Sequence, residues 1–117
     1  MIVRRDLPIG VLGAQIIHAA GESSPGGLTE GTYAVALAVP DEVALAAEAV
    51  RLRSRGFAHL SSGQDVGRTQ AFGSERLAFV TIHEPDEPYR GALMAIGIVP
   101  ARKEVLRRHL ASIPILK

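Results

Sequence analysis

Residues 64–70, Gln64-Asp65-Val66-Gly67-Arg68-Thr69-Gln70, are polar or lack a side chain at six of seven positions. Packing does not explain such a run. Asp65 could act as a general base or orient a water, and the planar fork of Arg68 suits a phosphate or a carboxylate. Thr69 and Gln70 add donors, while Gly67 permits close backbone approach to a ligand. The alternative is an Asx-type turn closed by Asp65, with Arg68 in an ordinary surface pair. A second candidate lies in the apolar run from Gly10 to Ala20, where Gln15 and His18 are the polar exceptions. Three residues apart on a helix, they share a face. They read either as groove-lining groups or as core-facing side chains that satisfy neighbouring backbone atoms.

Other catalytic templates fail. Gly10 and Gly13 make no dinucleotide fingerprint, and neither a Walker-type Gly-Lys-Ser/Thr nor a Gly-x-Ser-x-Gly elbow occurs. His83-Glu84-Pro85-Asp86 resembles a metal cluster only superficially, because Pro85 prevents the helix that would align its ligands. The absence of cysteine excludes a disulfide scaffold, a thiol nucleophile and Cys-ligated metal.

The elements that must carry these residues fit one domain, 1–117. Hydrophobic residues make up 47% and charged residues 21%, the composition of a globular chain rather than a disordered one. No apolar run is long enough to span a bilayer, and Arg4-Arg5-Asp6 denies the N-terminus a signal-peptide core, so no membrane partner and a cytoplasmic location are expected. The net charge of +1 conceals an uneven distribution. Residues 101–117 set Arg102, Lys103, Arg107, Arg108 and Lys117 against Glu104, which suits either a phosphate-binding face or a solvated helix.

Strands and helices alternate, which favours an α/β sandwich with a mixed sheet. Ile2 and Val3 begin a strand that Pro8 ends. Gly10 to Ala20 suggests a helix packed between layers, followed by a loop at 21–27. Tyr33 to Val39 reads as a strand buried on both faces. Asp41 caps a helix with Val43, Ala46, Ala47 and Val50 at helical spacing, and Gly56 stops it. Phe57–Leu60, Leu77–Ile82 and Ala92–Val99 read as strands, with an exposed acidic, proline-rich loop at 83–90 and a helix from Ala101 to Leu110 bearing Arg102, Val105, Leu106 and His109 on one side. The apolar stretch Leu93–Ile98 is a candidate exposed edge for a homodimer.

Arg4-Arg5-Asp6-Leu7, the Gly-Ala-Gln-x-x-His-Ala-Ala at 13–20 and the Gln-Asp-x-Gly-Arg-Thr-Gln at 64–70 together resemble the type II peptidyl-tRNA hydrolases in content and order. Val39-Pro40-Asp41-Glu42 before a helix, and Gly97-Ile98-Val99-Pro100 before a last helix with His109-Leu110, extend the resemblance over nearly the whole chain. It implies a three-layer α/β sandwich whose mixed sheet has four or slightly more strands, with helices on both faces. The implied activity is hydrolysis of the ester joining a peptide to the terminal ribose of tRNA, without metal or nucleotide cofactor. By position, Asp65, Thr69 and His18 are the implied catalytic residues, and Gln15, Arg68, Gln70 and Arg5 the implied substrate contacts. Two departures stand out. The lysine that the family usually carries before the first helix is missing from Pro8-Ile9-Gly10-Val11-Leu12, and 81–91 reads as an acidic insertion. A tRNA- or protein-binding module without catalysis therefore stays open, as does a related ester or amide substrate.

Overall fold

Short apolar runs build a sheet that the helices cross between. The computed structural model describes residues 1–24, 30–60 and 77–117. Its elements are β1 (Ile2–Arg4), α1 (Ile9–Ser23), β2 (Leu37–Val39), α2 (Glu42–Ser54), β3 (Ala58–Leu60), β4 (Ala78–His83), β5 (Leu93–Ile98) and α3 (Lys103–Leu110). The strands form one five-stranded sheet in the order β2-β1-β5-β4-β3, against an expectation of four or slightly more. β1 pairs parallel with β2, and β3 with β4, while β5 is antiparallel to both β1 and β4. Four strands therefore point the same way. Their carboxyl ends at Arg4, Val39, Leu60 and His83 lie along one end of the sheet.

Alternate strand residues feed two clusters, because successive side chains point to opposite faces. Ile2, Phe79, Ile96 and Ile98 join Leu45 and Leu52 of α2, with Leu106 and Leu110 of α3 packed against them. Val3, Ala78, Val80, Ile82 and Ala95 join Ala19 of α1, with Leu12 and Ile16 alongside. Each fully buried Leu, Ile or Phe contributes about 1.5–3 kcal/mol.

α2 begins and ends where expected: the Asp41 carboxylate accepts from the Ala44 backbone N–H at 2.9 Å, and Gly56 adopts φ 91° after the last turn. Its buried side differs from the expected one. Val43 and Val50 are 79% and 68% exposed, whereas Leu45 and Leu52 are fully buried, so the larger leucines choose the face. α1 also differs. It is a surface helix with Ile9 and Ile17 exposed, and it continues through Gly21 to Ser23. The Ser23 and Ser24 hydroxyls donate to the Ala19 and Ala20 carbonyls at 2.7 and 2.6 Å, satisfying the terminal acceptors.

Of the apolar run 33–39 only Leu37–Val39 is strand, and Tyr33 is exposed. β2 is an edge strand of the sheet, yet its successive residues Ala38 and Val39, which point to opposite faces, are both buried, as expected for this part of the run. Its free side is covered by the chain's end: Ala38 N–H donates to the Pro114 carbonyl at 2.8 Å, and Leu116 N–H to that of Ala36 at 2.9 Å. β5 overturns a further expectation. Leu93–Ile98 sits between β1 and β4 with every residue buried, so it offers no free edge to a second copy. The loop after β4 is exposed from Pro85 to Pro88, as its prolines and acids require.

Gly97 sets how closely α1 lies on β5. A Cβ there would run into the Ala19 carbonyl oxygen and come within 2.9 Å of Ser23 Cβ. Gly97→Ala is expected to cost about 1–3 kcal/mol, the range for overpacking a well-filled core. Gly10→Ala, where a Cβ meets nothing within 4 Å, should leave stability unchanged or slightly raised. Urea unfolding of the two variants checks the contrast.

Candidate functional site

The carboxyl end of the parallel strands is built around a buried cation. Arg4 is 8% exposed. Its Nε and Nη2 donate to Asp6 Oδ1 and Oδ2, both at 2.8 Å, and Nη1 donates to the Leu93 carbonyl at 3.3 Å. This fork holds the Asp6 carboxyl below its ordinary range and raises Arg4 further. Beside it, Glu42 Oε2 accepts from the Leu93 backbone N–H at 2.6 Å. The exit of β1, the start of α2 and the start of β5 are thus tied together.

Gln15 faces inward from α1 and is 2% exposed. Its Nε2 donates to Glu84 Oε2 at 3.0 Å, while its Oε1 is buried with no hydrogen-bond partner. An ionised carboxylate only accepts, so Glu84 dictates which end of the amide it meets. Glu84 directly follows β4, and its Oε1 also accepts from the Asp86 N–H at 3.3 Å. The acidic loop therefore lies against the first helix, where sequence reading gave Glu84 no site role. No local pattern links positions 69 residues apart; the packing of α1 on β4 and β5 brings them together.

His18 is exposed, so it does not join Gln15 in the interior. Residues three apart on a helix are offset by about 60°, enough to put one side chain inside and the other in solvent. Arg5 is exposed as well. Its backbone N–H donates to the Val39 carbonyl at 2.8 Å, and it lines an open concavity of about 430 Å³ with Glu48 and Ser112, along β2. β1 and β5 separate that strand from β4, so Arg5 and Gln15 line different parts of the molecule. Asp65, Arg68, Thr69 and Gln70 lie outside the described residues. They follow β3 in the chain, and β3 ends at Leu60 on the same end of the sheet as Arg4 and His83.

Among the described residues no group of three or more His, Asp and Glu side chains could hold a metal, and no helix is long and apolar enough to cross a membrane. No family model, curated protein or solved structure matches the chain.

Two outcomes follow from the geometry. Because the folded state lowers the Asp6 pKa from 3.8, the pair's stabilisation is full above that value and is lost as pH falls through the folded-state pKa. Asp6→Asn should lower Tm at neutral pH and flatten the acid limb of a Tm-against-pH curve. Glu84→Ala leaves a buried amide with no partner at either end and should cost about 1–3 kcal/mol. Gln15→Leu in the Glu84→Ala background should recover part of that loss, measured as a coupling in a double-mutant cycle.

Proposed function

We propose that the chain is an ester hydrolase of the peptidyl-tRNA hydrolase type, working at the carboxyl end of the parallel strands on a three-layer frame with helices on both faces of the sheet. One observation carries this reading. The segment Gln64–Gln70 follows β3, whose carboxyl end lies at the same end of the sheet as the Gln15–Glu84 and Arg4–Asp6 pairs. Open α/β sheets bind ligands at the carboxyl ends of their strands.

In this reaction Asp65 orients and deprotonates a water that attacks the ester carbonyl, and Thr69 stabilises the developing oxyanion. Gln15, its amide oriented by Glu84, borders the substrate, and His18 supports the groove from the solvent side of α1. Arg68 and Gln70 hold the ribose-phosphate end, and the basic residues of α3 meet tRNA phosphates. The products are a peptide carboxylate and a tRNA with a free terminal hydroxyl, formed without a cofactor. Such a substrate belongs to translation in the cytoplasm.

A second reading, a tRNA- or protein-binding module on the same frame, is favoured by one feature. The Gln15 donor is already occupied by Glu84, and Glu42 and Asp6 add acid at this end.

An N-acetylated aminoacyl-tRNA assayed beside a simple aryl ester separates the two. Asp65→Ala should abolish release of the acylated amino acid with Tm nearly unchanged. Unchanged turnover in this variant removes Asp65 from the mechanism, and tRNA binding without cleavage by the wild-type protein supports the binding module.

A further inference from the structure

α2 carries two apolar stripes, and the sheet uses one of them. Leu45 and Leu52 are fully buried, with Ala44 and Ala49 packed beside them. Val43, Ala46, Ala47 and Val50 are all exposed. At roughly 3.6 residues per turn these four fall within a sector of about 100°, as wide as the stripe by which a surface helix ordinarily meets a core. None of the four is charged, and Glu48, between them in sequence, pairs with Arg51. Helix formation does not call for this composition, because an exposed valine favours a helix less than alanine or a long polar side chain does.

The outer stripe is symmetric about its own centre. Val43 stands three residues before Ala46, and Val50 three residues after Ala47. Laid antiparallel on a second copy across a twofold axis, α2 sets Val43 level with Val50 of that copy. The alanines then meet at the axis, where small side chains let two helices approach closely. The ends are complementary as well. Asp41 caps the helix and Glu42 lies in its first turn, while Arg53 lies in its last. The same register puts Arg53 level with Pro40 of the second copy, within one turn of that copy's Asp41 and Glu42. Arg53 is exposed and has no ion pair among the described residues. A parallel pairing would instead bring acid to acid and arginine to arginine.

We propose that the outer face of α2 binds a second copy of this chain, as an antiparallel helix pair with its twofold axis at Ala46 and Ala47. One short helix from each copy covers less than the ~800 Å² per partner of a standard interface, so the dimer is a weak one that dissociates on dilution. The pairing uses neither Gln15 nor Asp65 and stands whether or not the chain is a hydrolase. Arg55, turned to the Arg108 carbonyl oxygen, stays outside it.

Sedimentation equilibrium of the full chain between about 10 µM and about 1 mM tests it, with a monomer–dimer equilibrium as the expected result. Val50→Glu sets a carboxylate against Val43 of the second copy and should weaken association by about tenfold or more, whereas Ile17→Glu on the exposed side of α1 should stay within about twofold. The chain has no cysteine, so one introduced thiol reports the orientation. Under mild oxidation Ala47→Cys should form a disulfide-linked dimer about tenfold faster than Ile17→Cys. Val43→Cys alone should not, because its two thiols lie about 10 Å apart along an antiparallel pair. An equimolar mixture of Val43→Cys and Val50→Cys should cross-link. Circular dichroism verifies that each variant is folded. A monomer throughout the concentration range, an unaffected Val50→Glu, equal losses in Val50→Glu and Ile17→Glu, or Val43→Cys cross-linking alone as fast as the mixture would each overturn the proposal.

Discussion

A guanidinium buried at the end of the first strand sets the layout of one whole end of the molecule. Removing a charge from water is costly unless it is paired and its donors are used. Arg4 meets that demand with both Asp6 oxygens and the Leu93 carbonyl. For Asp6 to reach back across one residue, the chain must leave β1 in a tight bend. That bend buries Leu7 and delivers Pro8 at the start of α1. The contact to Leu93 simultaneously fixes where β5 enters the sheet. Three connections that sequence separates by as much as 89 residues are therefore held in one register.

The parts of the fold legible in the sequence are those decided within a few residues. Asp41 and Gly56 bracket α2 because capping and a positive φ are local requirements. The prolines and acids after β4 exclude a strand there for equally local reasons. Misreadings cluster where partners are distant. Tyr33–Ala36 has the composition of a strand, but β1 offers pairing only from Ile2 to Arg4, so three residues of the run form a ladder, Tyr33–Val35 are exposed and Ala36 is half-buried. Leu93–Ile98 resembles any apolar strand, and its central place depends on β1 and β4 both pairing with it. On α2 the valines and leucines share a helical period, and the choice of face belongs to the sheet beneath.

The candidate site shows the same division. Gln15 is identifiable as a polar exception in an apolar helix, yet its spacing to His18 does not reveal that one side chain is buried and the other wet. Glu84 reads as one more acid in an exposed loop until the turn after β4 carries it onto α1. Residue type announced chemistry where the side chain was out of place for its local segment, as Gln15 is. It stayed silent where an ordinary residue gained its role from a distant element, as Glu84 does from α1.

The near-neutral charge is an average over two unlike surfaces. Asp6, Glu42 and Glu84 gather at the carboxyl end of the parallel strands, while Arg53, Arg55 and Arg108 stand where α2 and α3 meet. Under the proposed reading a polyanion approaches the second surface rather than the first, since field strength follows local charge and not the total. For the proposed hydrolysis this separation has a chemical consequence. Most of the phosphates do not have to enter the acidic end; only the ester and the terminal ribose-phosphate held by Arg68 and Gln70 do, and an ester is neutral until water attacks it. The acids there then act on the water and on the donors around it, through Glu84 holding the Gln15 amide. The cost of carrying a nucleic acid's charge falls on arginines elsewhere. An arrangement with the cations at the reacting end would bind phosphate more tightly at that end but would crowd the ester with the groups it least needs to meet.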